Sequence, residues 1–376
     1  MATQVDEDLR QELESFWQSA SPQDREDLTR FLATKPPMNA TPSSVIPPTE
    51  EAQIRLDLAR KLQNSTRELI GVPSWKFSAS HLGVIFVMPL DILKQIAHTG
   101  RVPHSIPPGA DTQLQRASDL IKEFLDARTY DDGKDDRDKP EADKCREREN
   151  GACLFTGMAD PHACHIMPFS FNSNLQNKRR LGVLISATSL FGNRPWVDLL
   201  AVKVRSSDFA WNMLAVSPQL HVWWAQGRWA VKCLGITPVN NQHVLRLEFH
   251  WMPQRSQLPR GREIDLDKDE GEQMLKELTT WNGDPNVTLE DHGVIAISDA
   301  RSHQSLRSGQ IFEVRHSTND DAEKMKDMID LQWYLILACN LAGAADPPEL
   351  EDDESDEDFD PNTLEIEPGF RRKMGC

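Results

Sequence analysis

Three side chains able to move a proton or hold a cation fall in an ordered pattern along this chain: His165, Asn212 and His221. His165 lies in a strand-like apolar run, residues 163–169, and Asn212 opens a second one, residues 212–216. Ser217 and Pro218 then stand where a helix would begin, as N-cap and first helical residue, so His221 falls one turn in. An imidazole changes charge near neutral pH and is a common metal ligand, whereas an asparagine amide orients its neighbours through hydrogen bonds. The plainer reading of a histidine beside an apolar run is a packed core residue bonded to backbone. Order and context have to decide between the two.

The context extends well beyond three residues. The turn Cys153-Leu154-Phe155-Thr156-Gly157 precedes His165, the segment His165-Ile166-Met167-Pro168-Phe169 follows, and Trp223-Trp224 leads into a strand-like run at 229–236. Further on come Phe249-His250-Trp251-Met252-Pro253 and Leu331-Gln332-Trp333 on a helical pattern. Residues 145–236 resemble the HNH nuclease module of fungal proteins, and the weaker downstream motifs carry the resemblance to about residue 345.

That resemblance implies an α+β protein with a ββα-metal core, a helical N-terminal region and a C-terminal extension of strand and helix. It also implies roles. His165 would take a proton from water, Asn212 would hold the far nitrogen or the backbone of His165, and His221 would hold one divalent cation on the scissile phosphate. The products would be 5′-phosphate and 3′-hydroxyl ends. This chain departs from the pattern twice. Cys164 stands where the metal-binding members carry Asp or His, and Ala225 stands where an acid is usual one turn beyond the last histidine. The expected ligands are therefore His221 and Cys164, and the ion is either Mg²⁺ or Zn²⁺, since thiolate suits the softer of the two. His162 reads either as an extra ligand or as a surface turn residue. A structural zinc site from Cys145, Cys153, His162 and Cys164 matches no paired-knuckle spacing.

Charge sharpens the expectation about partners. The whole chain carries −17, yet residues 145–235 hold ten Lys and Arg against five Asp and Glu, a local +5, so the remainder sums to −22. Nine of those negatives lie in residues 349–360. Such a run reads as a solvated tail, or as a mimic of nucleic acid that lies on the basic face as an autoinhibitory contact. Lys178, Arg179 and Arg180 form the compact basic cluster suited to a phosphate backbone. Trp196, Trp223, Trp224 and Trp229 could stack on bases or pack in the core.

The surrounding elements follow from periodicity. Helices are expected at residues 11–16, 21–34, 50–70 and 113–128, a Pro/Ser/Thr-rich linker at 36–48, strands at 243–250 and 309–314, and a strongly apolar helix at 320–345. This divides the chain into a helical region (1–129), a charged linker (130–144), the HNH module (145–236), an extension (237–345) and an acidic tail (346–376). Six scattered cysteines, an acidic start and no long apolar run favour a reduced, intracellular protein, nuclear or cytoplasmic and neither secreted nor in a membrane. Three functions fit: an endonuclease acting on DNA or RNA, a non-catalytic HNH-fold module that binds a partner, and an enzyme using His165 on a small molecule.

Overall fold

The computed structural model describes residues 2–33, 44–45, 47–102, 109–129, 138–194, 196–201, 203–252, 262–279 and 295–342. The chain divides into two units, Met1–Asp346 and Pro347–Cys376. The second unit, with its acidic run, lies outside the described residues, as does most of the linker expected at 36–48.

Helices α1 (Ala2–Ser19), α2 (Pro22–Ala33) and α3 (Thr49–Ile70) come first. Gly71 stops α3 by taking φ 70°, a left-handed turn that lets its N–H bond the Arg67 carbonyl. After the short strand β1 (Phe77–Ser78) come α4 (Ala79–Val87), α5 (Leu90–Thr99) and α6 (Ala110–Thr129). Helix α7 (Lys139–Arg148) begins within the stretch expected to be a linker and crosses its boundary at 144/145. The reason is local. Asp138 caps the helix by accepting the Glu141 N–H, Pro140 sits in the first turn, and Arg146 and Arg148 offset the helix dipole in the last.

The region of interest then contributes β2 (His162–His165), α8 (Leu175–Leu184), α9 (Trp196–Leu200), β3 (Met213–Val216) and α10 (Pro218–Ala225). Strands β4 (Trp229–Val239) and β5 (Gln242–Trp251) form a hairpin, β6 (Glu263–Ile264) pairs with β1, and α11 (Glu270–Thr279), β7 (Ile311–His316) and α12 (Asn319–Leu341) follow. The hairpin turns on Asn240 and Asn241 at φ 48° and 61°, the positive values a primed two-residue turn demands. One antiparallel sheet runs β4-β5-β7. The protein is thus α+β, and among the described residues no helix is long and apolar enough to cross a membrane.

The main apolar cluster runs from α3 to α12, so helices α3 to α6, most of the middle region and the sheet share one core. Trp229 lies fully buried within it, stacked on Trp224 at 4.8 Å and Phe249 at 5.3 Å, while its Nε1 donates to the Leu220 carbonyl at 2.8 Å. Helix α12 is buried on nearly every side and packs against β4, α4 and the turn at Ala210–Asn212. Its approach to α4 is close: a Cβ at Gly83 would collide with the Ala338 carbonyl oxygen.

One consequence for stability concerns pH. Burial, with Arg148 and His243 adding to it, pushes the His316 imidazole down to about 3, beside Met325. The unfolded chain therefore binds a proton near the ordinary value of 6.5 before the folded one does. Stability should fall as pH drops from 6.5 toward 3, by about 1.4 kcal/mol per pH unit from this group. Urea unfolding of native and His316→Leu chains between about pH 7 and 4 should show a shallower slope in the variant, and parallel slopes would refute the assignment.

Candidate active site

Strands β2 and β3 form an antiparallel ribbon that pairs His162 with Val216, Ala163 with Ala215, Cys164 with Leu214 and His165 with Met213. Side chains alternate along a strand, so His162 and Cys164 share one face and Ala163 and His165 the other. Apolar packing agrees. Cys164, Leu214 and Val216 join the main core with Leu220 and Trp224 of α10, while Ala163, Met213 and Ala215 cluster with Cys145 of α7. Helix α10 therefore covers one face and α7 the other. Before the ribbon, the Cys153–Gly157 turn closes through the Gly157 N–H to the Cys153 carbonyl, and the Leu154 N–H bonds the Ala215 carbonyl on the far side of β3.

His165 ends β2 with its side chain only 1% exposed, and its Nε2 lies 3.1 Å from Asp208 Oδ1. The other carboxylate oxygen, Oδ2, accepts the Asp138 N–H at 3.1 Å and meets Arg205 Nη2 at 3.4 Å. Burial alone would raise the Asp208 carboxyl, but the hydrogen bond and charge of His165, the Asp138 amide and Arg205 together carry it below its usual value. An ionised carboxylate only accepts, so Nε2 of His165 carries a hydrogen, and in the neutral form of the ring Nδ1 keeps the lone pair. That Nδ1 is buried and has no hydrogen-bond partner. The Phe169 ring lies 5.7 Å from the imidazole, with the Arg205 guanidinium on it at 5.2 Å.

Asn212 is fully buried at the end of a 3-10 turn, Ala210–Asn212. Its Oδ1 accepts the Met167 N–H at 3.0 Å, and its Nδ2 donates to the Met167 and Ser207 carbonyls, each at 2.9 Å. Its backbone carbonyl also accepts the Ile166 N–H at 2.7 Å. The amide thus clamps the backbone just beyond His165 to the loop that carries Asp208, and the imidazole nitrogen itself is held by Asp208. Helix α7 braces the same loop. Glu141 accepts the Ala210 N–H at 2.9 Å, and Arg148 donates to the Ala210 and Met213 carbonyls at 2.9 and 2.7 Å.

His221 stands on α10, half-buried, and meets not His165 but His162, with Nδ1 to Nδ1 at 3.2 Å. His165 and Asn212 are therefore brought to one corner, while His221 belongs with His162 on the α10 face. Cys164 is buried beneath α10 with its Sγ 3.5 Å from the His162 carbonyl oxygen. Among the described residues, no three His, Cys, Asp or Glu side chains form a group that could hold one ion. Burial also pushes the Cys145 thiol up to about 12, on the opposite face of the ribbon, which disfavours a thiolate there.

The basic cluster lies on α8. Arg179 is exposed and Lys178 half-buried, but Arg180 forms an ion pair with Glu123 of α6. The cleft between α6 and α8 is lined by Glu123, Asp126, Phe169, Asn177 and Arg180, and His165 is not part of its wall. Trp196, Trp224 and Trp229 are buried and Trp223 packs on Trp251 at 5.8 Å, so all four serve the core. Asp208 and the His162–His221 contact are invisible to a reading of the sequence. Asp208 lies 43 positions from His165 in a turn of mixed composition, and no local pattern announces a pair that only the tertiary fold creates.

No curated protein and no solved structure matches the chain. Residues 153–232 match the family model described as HNH endonuclease, a span that holds His162, Cys164, His165, Asp208, Asn212 and His221. The chain accordingly contains an HNH endonuclease domain over residues 153–232.

Proposed function

We propose that the protein is a metal-dependent endonuclease that hydrolyses phosphodiester bonds in DNA, on a ββα-metal core made of β2, β3 and α10. The observation that carries this reading is the Asp208–His165 contact at 3.1 Å, which leaves an imidazole Nδ1 as lone-pair base within the HNH span. His165 accepts a proton from water at Nδ1, and the hydroxide attacks phosphorus in line with the departing 3′-oxygen, leaving 5′-phosphate and 3′-hydroxyl ends. Asp208 holds the tautomer and stabilises the imidazolium, while Asn212 fixes the backbone that carries His165. Lys178 and Arg179 meet the phosphate backbone. The donor set on the α10 face is imidazole with a buried thiol beneath, which fits a borderline cation such as Zn²⁺ better than Mg²⁺. His221 is the residue that would hold it, with the buried Cys164 as the second expected donor, and such a cation would supply charge neutralisation for the departing alkoxide.

Incubating supercoiled plasmid with the purified chain across Mg²⁺, Mn²⁺, Zn²⁺ and Ni²⁺, beside a His165→Ala control, tests the reading. Nicking by the native chain that the control loses supports it; no nicking with any metal sinks it. A second reading, a non-catalytic HNH-fold module that binds a partner, is favoured by the burial of His165 and by the missing third ligand among the described residues. It gains if duplex DNA or another partner binds while plasmid stays intact. The acidic run at 349–360 lies outside the described residues, and we assign it the role of competing with nucleic acid for the basic region. Its deletion should tighten duplex binding at about 0.01 M salt and make little difference at about 0.15 M, as the Debye length shrinks. Equal affinities at low salt would leave it a solubilising tail.

A further inference from the structure

Two imidazoles from distant parts of the chain meet where β2 begins. His162 is the first residue of β2 and exposed; His221 lies one turn into α10, 59 positions later. Their Nδ1 atoms are 3.2 Å apart and the rings stand nearly perpendicular, at 83°. A cation with metal–nitrogen bonds of about 2.0–2.1 Å sets two ligand nitrogens about 3.0 Å apart in an octahedral site and about 3.4 Å apart in a tetrahedral one. The observed separation falls between those two edges.

We propose that His162 and His221 form a two-imidazole chelate for a borderline divalent cation, Zn²⁺ or Ni²⁺, with its remaining positions open to water and phosphate oxygens. The inference rests on the proposed nuclease reading for its place in the chemistry, but its existence depends only on the two side chains. Without metal, one Nδ1 must carry a hydrogen to bond the other. On binding, that ring switches to its Nε2–H tautomer, the hydrogen leaving Nδ1 as one is taken up at Nε2, and both Nδ1 lone pairs turn to the cation. Entry is open because His162 faces solvent, and the ribbon and α10 hold both rings from opposite sides. Cys164 lies on the same strand face but is 1% exposed, with its Sγ 3.5 Å from the His162 carbonyl oxygen, so His162 is the second donor. A pair of nitrogens without a carboxylate binds Mg²⁺ poorly, because that ion takes oxygen ligands and keeps its waters. The order of affinity should follow nitrogen donors: Ni²⁺ and Zn²⁺ well above Mg²⁺.

Isothermal titration of the full chain with ZnCl₂, NiCl₂ and MgCl₂ tests this, on the native protein, His162→Ala and His221→Ala, with circular dichroism confirming that each is folded. One Zn²⁺ per native chain is expected, with at least about tenfold weaker binding in either variant and no heat with Mg²⁺. Co²⁺ absorption gives a second readout, since the imidazole-bound spectrum should vanish in both variants. Zn²⁺ binding of native strength in folded His162→Ala overturns the chelate, and native plasmid cleavage by that same variant would leave the nuclease reading standing without it. Zn²⁺ binding lost in both variants, in a native chain that cuts no nucleic acid, upholds the chelate and removes the nuclease reading instead.

Discussion

The Asp208→Asn variant is expected to cut plasmid about 10²–10⁴-fold more slowly than the native chain, a loss of the size that follows when a general base is held in the wrong tautomer. The substitution keeps the size of the side chain, but the new amide can donate as well as accept. The imidazole is then free to place its hydrogen on Nδ1, the nitrogen that must take the proton from water. Arg205 and the Asp138 amide would also face a neutral group in place of a carboxylate. Nitrogen NMR of labelled histidine separates this from general damage, because the native chain should show hydrogen on Nε2 of His165 and the variant a population with hydrogen on Nδ1. A slow variant with an unchanged tautomer would refute the positioning role; unchanged rate would remove Asp208 from the chemistry altogether.

Asn212→Ala is expected to destabilise the fold by about 3–9 kcal/mol, as three buried backbone groups each lose a partner at a cost of about 1–3 kcal/mol. The groups are the Met167 N–H, the Met167 carbonyl and the Ser207 carbonyl, all met by an amide with no solvent exposure. Asn212→Asp should be worse at neutral pH, since it points a carboxylate at two carbonyl oxygens. Urea unfolding monitored by tryptophan fluorescence measures both. An Asn212→Ala chain of native stability that no longer cuts DNA would mean that the amide acts on substrate.

How much of this is legible in the sequence depends on the range of the interaction. The strand, strand, helix order around His165, Asn212 and His221 is readable because alternation, Ser217 and Pro218 are local signals, and the structure places β2, β3 and α10 there. The long apolar helix and the two strands of the extension are readable for the same reason. Helix α4 is not, because Ala79 to Phe86 are all buried and an all-round apolar segment has no amphipathic period to detect. The charged stretch before Cys145 looks like a linker by composition, although Asp138, Pro140 and the i,i+3 pairs of Glu141 with Lys144 and Asp143 with Arg146 mark a helix start. The site divides in the same way. Residue types are visible, but Asp208 on His165 and His162 on His221 are long-range contacts that pattern alone cannot supply. The alternation of His162, Cys164 and His165 does hold the clue that neighbouring residues in a strand serve opposite faces.

The close passage of α12 over Gly83 bears on synthesis as well as on packing. Helix α12 touches both α4 and the turn that carries Asn212, so the segment from residue 319 onward joins parts of the chain made long before it. At about 5–20 residues per second, a ribosome needs roughly 6–26 s to go from Asn212 to the end of α12. During that interval the Asn212 clamp lacks its backing, and the emerging chain has the amino acids of the site without its rigidity. Activity should therefore arise only after α12 docks, and a nascent or truncated chain ending before residue 319 should be inert toward DNA in the cell that makes it.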